Sequence, residues 1–444
     1  MDGDKMTLTK ELNHYIKRNI AASVGLSIYI LIDTIFISMT GGSIGMAVLN
    51  LSLPLFSLFN CLGMLLGVGG AAYYSLNKLT HPERVETLYS EIIIFAVIIG
   101  FLIAFGINIF IHPLLRVLGG NSQTIPMAIP YVRILAFGAP FTICNYVSIN
   151  FIRNDGNPTL TMMATLIETS SVVVVDWLLI FGVGLHMEGA ALAGIFSPAC
   201  SLCVLTRHRH FTDRRLHWHW VVPKLTTIGH AARLGIAAFL NELSTGVSIY
   251  VFNIVLLKLA GNYAIAAYGV ISNIAIVTVA IANGVALGVQ PIASREYGIH
   301  HFKNVRVALK HGLKITVTIA IAAFIILSIF RTPVASIFNS HHQSIMMKYA
   351  TAGLPIYFSS TTFTAINLLL ILFLAAIDAA STSFSLSLLR GYIILLPMIV
   401  ILGFTLGTHG VWAAVPVTEL LTTIIGTLVV RNRLSALPDR NEKA

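Results

Sequence analysis

Five carboxylates stand in long apolar runs of this chain, and these are the residues most able to do chemistry. They are Asp33, Glu168, Asp176, Glu242 and Glu419. Asp176 occupies the stretch VVVVDWLLIF, Val172 to Phe181, in which all the remaining residues are apolar. At bilayer depth a carboxylate costs about 2.5–3.5 kcal/mol on insertion scales. Each of these acids therefore needs a partner or a function.

The elements that position the acids are predicted to be membrane-spanning helices. Apolar residues make up 56% of the 444 residues and charged residues only 10%, against about 25% in soluble domains. The alternation of lipid-facing barrel strands is absent, so helices are the remaining way to cross a bilayer. We predict an all-α polytopic membrane protein with twelve spans, at 18–39, 46–74, 89–111, 127–150, 159–183, 189–206, 232–257, 264–292, 312–331, 349–377, 384–405 and 410–430.

Lysine and arginine predict the orientation of these spans. With the N-terminus inside, the cytoplasmic segments receive nearly all of the 28 Lys and Arg residues, Arg390 included. The exceptions are Arg116, Arg133, Lys258, Arg331 and Lys348. Both termini are therefore expected in the cytoplasm. Because the basic residues are dispersed over several short segments, the net charge of +10 does not indicate a nucleic-acid partner.

The chain repeats itself at about half its length. Gly42 in GGSIGMAVLN corresponds to Gly261 in AGNYAIAAYG, and Gly189 corresponds to Gly410. Asp155 and Asp378 each close the fourth span of a half. Two parallel six-helix repeats related by a pseudo-twofold axis are typical of transporters. The predicted organisation is an N-terminal segment (1–17), an N-lobe (18–206), a basic linker (207–230), a C-lobe (231–430) and a tail (431–444).

Asp33 and Asp176 are the acids whose positions suggest shared chemistry. Each lies six or seven residues before the outer end of a span that runs outward, which places both about 10 Å below the outer surface. Two carboxyl groups at one depth in one half can share a cavity and bind a proton or an ion. In the alternative interpretation, one acid snorkels to the surface and Arg133 neutralises the other.

The remaining acids are weaker candidates for substrate or proton binding. Glu242 lies near mid-membrane beside Asn241 and Ser244, where it either meets a cationic substrate or is hydrogen-bonded to a neighbouring helix. Glu168 and Glu419 allow the same two interpretations. No cofactor or structural metal is predicted, because the histidines of the linker RHRHFTDRRLHWHW lack zinc-type spacing and no nucleotide-binding loop is present.

An ordered set of motifs resembles the multidrug and toxic compound extrusion (MATE) family. The motifs are YILIDTIFIS (29–38), FIRNDGNPTL, VDWLLIFGVGLHMEGAALA, FLNELSTGVSIYVFN, LGVQPIASREYG and GVWAAVPVTELL. They cover nearly the whole chain, and the nearest branch is the DNA-damage-inducible-type prokaryotic group. The resemblance implies a two-lobed exporter in a prokaryotic plasma (inner) membrane that exchanges protons or sodium for amphiphilic, usually cationic compounds.

The resemblance also implies roles for individual residues. Asp33 and Asp176 match the family's acids in the first and fifth helices, and Tyr29 matches an aromatic residue of the same cavity. Asn150 is a looser match to an amide in the fourth helix, and Glu242 resembles the acid of the seventh.

Three positions depart from the family pattern. No proline precedes Pro54, so the proline at which the family's first helix bends is missing. Val172 stands where the family often has Asn, and Gly194 where it often has Thr. Both changes remove oxygen ligands for sodium, which favours protons as the coupling ion.

These features predict a secondary antiporter rather than an enzyme. Its expected partners are a small amphiphilic molecule and the lipid bilayer, and a monomer is expected. One alternative is an exporter or flippase of lipid-linked or polysaccharide precursors, for which the acidic core charges are unfavourable. A membrane-embedded enzyme would need a nucleophile–base pair or metal cluster within the spans, which the sequence does not offer.

Overall fold

The fold is built from long helices. The computed structural model describes residues 2–77, 86–212, 214–339, 343–377 and 379–438, which contain no β-strand. The α-helices are α1 Asp2–Asn77, α2 Leu88–Ile109, α3 Ile111–Val117, α4 Ile125–Phe137, α5 Ala139–Asn154, α6 Pro158–Trp177, α7 His186–Leu205, α8 Leu225–Ala260, α9 Asn262–Gly298, α10 Phe302–Ile329, α11 Arg331–Ser336, α12 Ser344–Phe358, α13 Thr361–Ala376, α14 Ala380–Leu388 and α15 Leu395–Ser435. Two π-helical turns, Leu178–Gly182 and Leu389–Ile394, follow α6 and α14.

The described helices account for twelve membrane spans. Eight helical stretches are long and apolar enough to span, and two bent pairs, α4 with α5 and α12 with α13, raise the number to ten. Two of the eight stretches are each divided by a glycine with non-helical backbone angles, Gly42 in α1 and Gly407 in α15. The all-α, twelve-helix prediction is confirmed, although the fourth and tenth spans are bent by 41° and 49°.

The sequence repeat is visible in the backbone at the breaks between helices. Gly42, between the first two spans, has φ 58°, and Gly261, between α8 and α9, has φ 72°. Gly184 and Gly407 likewise have φ 79° and φ 63° before the last span of each half. Glycine adopts positive φ without the steric cost that a Cβ would bring. Asp378, the predicted equivalent of Asp155, lies outside the described residues.

One compact unit consists of Ile32–Ile254. Within it α6 packs on α7 and α2 on α5, and α8 lies against the second half of α1. Glycines allow this last approach: a Cβ at Gly69 would overlap the carbonyl oxygen of Ala231, and one at Gly235 would overlap that of Leu65. Small residues at such crossings let membrane helices pack backbone against backbone.

The other unit comprises the described residues of Met1–Leu31 and Val255–Ala444. The first part of α1 belongs here because Leu8, Leu12 and Ile16 are buried, at 6%, 0% and 2% exposed, in one apolar core with α9, α10 and α13. Glu11 adds a two-pronged ion pair, accepting from both terminal nitrogens of Arg295 at 2.7 and 2.9 Å. The predicted lobes follow the sequence repeat, whereas the two compact units divide the chain near residues 31 and 254.

The basic linker is fixed to the Ile32–Ile254 unit through Asp155. The carboxylate lies 2.5 Å from the Tyr74 hydroxyl and 2.8 Å from His208 Nε2, and accepts from the backbone N–H groups of Arg215 and Leu216 at 3.0 and 3.2 Å. Burial alone would raise the pKa of Asp155, but these hydrogen bonds outweigh it and hold the pKa below its ordinary value. His208 is therefore an anchor of the linker.

Candidate functional site

Asp33 and Asp176 lie together in the Ile32–Ile254 unit. α1 carries Asp33, which is half-buried, and the last turn of α6 carries Asp176, which is fully buried. The carboxyl groups interact electrostatically and share a hydrogen bond when one of them is protonated. The structure thus brings together the two acids that the sequence placed at one depth.

Asp176 is a buried carboxylate without protein donors. Neither of its oxygens has a hydrogen-bond partner among the described residues. Asp33 does not supply one while both groups are ionised, because two carboxylates offer each other no donor. A charge buried in this way is stabilised by taking up a proton or by binding a cation. The π-helical turn begins two residues later, at Leu178, and such turns are frequent at functional sites.

Tyr131 of α4 is a third member of this site that the sequence did not reveal. It is buried, at 2% exposed, and lies within electrostatic range of both Asp33 and Asp176. The alternative partner, Arg133, is exposed and forms no ion pair in the described part of the chain. Residues two apart lie on nearly opposite faces of a helix, so the burial of Tyr131 leaves Arg133 pointing outward.

The other residues matched to this cavity from the sequence have separate placements. The side chain of Tyr29 lies outside the described residues. Asn150 donates to the carbonyl oxygen of Tyr146 in its own helix at 2.8 Å. Gly194 of α7 has space beside it, because an added Cβ would meet only the Phe56 ring, at 4.0 Å.

Glu168 and Glu242 each pair with an asparagine of a neighbouring helix. Asn145 of α5 donates to Glu168 Oε2 at 2.9 Å, and Asn60 of α1 donates to Glu242 Oε1 at 3.4 Å. Both acids are half-buried in the Ile32–Ile254 unit. Their neutral partners match the interpretation in which an acid is held by an adjacent helix, and the structure does not join either acid to the Asp33–Asp176 pair.

Glu419 belongs to a different site, in the other unit. Arg390 contacts Glu419 Oε1 through Nε at 2.8 Å and Nη2 at 2.6 Å, and Asn367 donates to Oε2 at 2.7 Å. Glu419 is buried, at 4% exposed, within α15. Arg390, which the sequence analysis counts among the cytoplasmic charges, therefore has a specific partner: its charge compensates the buried Glu419 carboxylate.

A family model matches most of the chain, and curated relatives match up to 97% of it. The MatE family model matches residues 20–178 and 237–402. The "Multidrug export protein MepA" of Staphylococcus saprophyticus is 24% identical over 447 residues, covering 97% of this chain and 96% of the relative. The "FAD transporter" of Shewanella oneidensis is 25% identical over 416 residues, covering 89% and 88%.

Solved structures share the fold. An inward-facing multidrug resistance MATE transporter of the MOP superfamily superposes with a TM-score of 0.83 at 22% identity, covering 93% of this chain and 95% of the other. The MATE multidrug transporter DinF-BH superposes with a TM-score of 0.75 at 24% identity, covering 97% and 96%.

Proposed function

Because the chain belongs to the MatE family of multidrug transporters, we propose that it is a secondary antiporter that exports amphiphilic cations in exchange for protons. The observation that carries the proposal is the buried Asp176 carboxylate, which faces Asp33 and has no donor among the described residues. Such a pair is a binding site for one positive charge. A proton and a cationic substrate compete for that charge, and this competition couples their movements.

The exchange follows from electrostatics. When both carboxyls are ionised, the pair attracts an amphiphilic cation from the cytoplasmic side. When the site opens outward, an incoming proton neutralises the pair and weakens its hold on the cation, which leaves. Tyr131 is buried within electrostatic range of both carboxyl groups, so its environment changes when the pair gains or loses a charge.

Protons rather than sodium are proposed as the coupling ion. A hard cation needs several oxygen ligands, and Val172 and Gly194 contribute none from their side chains. A proton needs only the two carboxyl groups. We also propose that the protein is a monomer of the prokaryotic plasma (inner) membrane. Both termini are proposed to lie in the cytoplasm, because most lysine and arginine residues outside the spans fall in the segments on that side.

Transport by purified protein in liposomes tests this function. An imposed pH gradient should drive uptake of rhodamine 6G, an amphiphilic cation, by the wild type, and Asp33→Asn or Asp176→Asn should abolish the driven component. Glu188→Gln, an exposed acid of the same unit, is the matched control and should transport normally. Wild-type transport rates in both Asn variants would overturn the proposal. If a sodium gradient drove uptake as well as the pH gradient does, the choice of protons as the coupling ion would be overturned.

A further inference from the structure

A small cavity in the unit that contains Val255–Ala444 adjoins the Arg390–Glu419 pair. Its volume is about 80 Å³. The polar residues around it include Thr278, Tyr357, Thr364, Arg390 and Glu419, and they come from α9, α12, α13, the π-helical turn at Leu389–Ile394 and α15. A single water needs about 10–15 Å³ of such space, so the cavity accommodates a group larger than one water molecule.

The ion pair leaves hydrogen-bond donors unused rather than acceptors. Both oxygens of Glu419 are occupied, one by Arg390 and the other by Asn367. A guanidinium carries five N–H groups, and Glu419 takes one from Nε and one from Nη2. The remaining three, two of them on Nη1, have no partner in the described structure. The Arg390 side chain is also the more accessible partner, at 24% exposed against 6% for Glu419.

Two hydroxyl groups add to this surplus of donors. Tyr357 lies within electrostatic range of both Arg390 and Glu419, and its hydroxyl makes no hydrogen bond within the described residues. The hydroxyl of Thr364, which also lines the cavity, likewise makes no hydrogen bond within the described residues. By contrast, Thr278 has already donated to a carbonyl of its own helix, at 2.9 Å. The groups with unused donors therefore gather around one cavity.

We propose that this cavity binds an oxyanion, a carboxylate or phosphate, carried by the exported substrate. The proposal rests on the proposed export function and refines its substrate class to amphiphilic zwitterions and anions as well as cations. Glu419 holds one edge of the guanidinium, and the other edge is left for the ligand in the fork geometry that suits carboxylate and phosphate oxygens. Tyr357 and Thr364 supply the further donors.

A matched pair of dyes tests the proposal by direct binding. Rhodamine 6G is an ethyl ester and a cation, whereas its free acid has the same chromophore and an added carboxylate. Fluorescence anisotropy at neutral pH, with the full-length protein in detergent and no ion gradient, gives the affinity for each dye. The wild type should bind the free acid roughly tenfold more tightly, as expected for one charge-assisted hydrogen-bonded contact. Equal affinities would overturn the proposal.

Substitutions locate the preference within the cavity. Tyr357→Phe, which keeps the ion pair, should reduce the preference several-fold, and Arg390→Gln should abolish it while ester binding remains. Because Arg390→Gln leaves Glu419 without its partner, the double variant Arg390→Gln/Glu419→Gln serves where the single one does not fold, with the same expected loss. Arg133→Gln, an exposed arginine of the other unit, should keep the preference. A preference that survives in Tyr357→Phe and in the double variant would refute the site.

Three further measurements distinguish a substrate-binding cavity from a lipid-headgroup site and from a defect in proton coupling. Inorganic phosphate should displace the free acid and leave the ester bound. Phosphatidylglycerol added to the micelles should not change the preference; if it removes it, a lipid headgroup is the occupant and the assignment to substrate fails. Asp33→Asn should lose proton-driven transport and retain the preference, so failure of the antiport proposal and failure of this one give different results.

Discussion

Replacing the same residue type at two buried positions of one unit should change stability in opposite directions. Asp176→Asn exchanges a carboxylate without donors for an amide that can donate to Asp33. Asp155→Asn places an NH₂ group among the donors of Tyr74, His208 and the linker backbone. The first change should therefore stabilise the protein although it abolishes coupled transport, and the second should destabilise it.

The magnitudes follow from the hydrogen bonds in the structure. An unsatisfied buried polar group costs about 1–3 kcal/mol, so Asp176→Asn should raise the free energy of unfolding by about that amount at a pH where both acids are ionised. Asp155→Asn orphans at least one buried donor and loses a charge-assisted bond, at a cost of about 2–4 kcal/mol. For a unit of the size of Ile32–Ile254, each kcal/mol shifts the unfolding midpoint by about 2–4 °C.

Thermal unfolding of the purified variants at pH 10 measures both effects. The folded-state pKa of Asp155 is lowered, so its stabilising contribution is fully present above the unfolded-state pKa of about 3.9 and is lost as the pH falls below it. The difference between Asp155→Asn and the wild type should accordingly shrink only in strong acid. An Asp176→Asn variant that melts below the wild type at pH 10 would refute the reasoning, because donors to Asp176 would then have to exist in the folded protein.

Three other substitutions test particular features of the fold and site. Leu12→Ala should lower the unfolding free energy by about 2–5 kcal/mol, because Leu12 is fully buried. The control Leu102→Ala changes a side chain that is 63% exposed and should cost far less. Equal thermal unfolding midpoints for the two variants would contradict the packing of the N-terminal segment. Val172→Asn combined with Gly194→Thr should make transport respond to a sodium gradient, because the two changes add side-chain oxygens to α6 and α7. If the double variant still does not respond to sodium, these two positions do not determine the coupling ion. Gly407→Ala should lower the melting midpoint because Gly407 has φ 63°, whereas the control Gly25→Ala should raise it slightly. An added Cβ meets no atom within 4 Å at either position, so the two variants differ in backbone conformation and not in available space. Midpoint changes of the same sign would exclude backbone strain as the cause.

The sequence predicts those features of this protein that depend on local patterns. Run lengths of apolar residues locate the spans, since a bilayer sets the length that a helix needs. Gly42 and Gly261 mark equivalent breaks in the two halves, since only glycine adopts their backbone angles easily. The depth of Asp33 and Asp176 follows from counting residues along two helices that run in the same direction.

Features that depend on the partner of a side chain were not predictable in this way. Leu8, Leu12 and Ile16 have the spacing of a buried helical face, but the polar residues between them lower the average hydropathy on which spans are recognised. Tyr131 appears in the sequence as an ordinary aromatic residue of a span, and its position near two acids of other helices depends on tertiary packing.

Arg390 has a structural partner that charge counting does not reveal. The positive-inside rule treats each lysine and arginine as a signal of topology, which holds when the charge remains in water. Arg390 instead pairs with Glu419, 29 positions later in the chain, and neither sequence neighbourhood points to the other. The consequence for function is specific: Asp176 is an acid that the described protein leaves without a donor, and Glu419 is an acid that it satisfies completely. An unsatisfied acid changes its protonation or binds a cation, whereas a satisfied one fixes the group beside it. We therefore expect neutralisation of Asp176 to abolish coupling to protons, and changes at the Arg390–Glu419 pair to alter which substrates are bound while coupling persists.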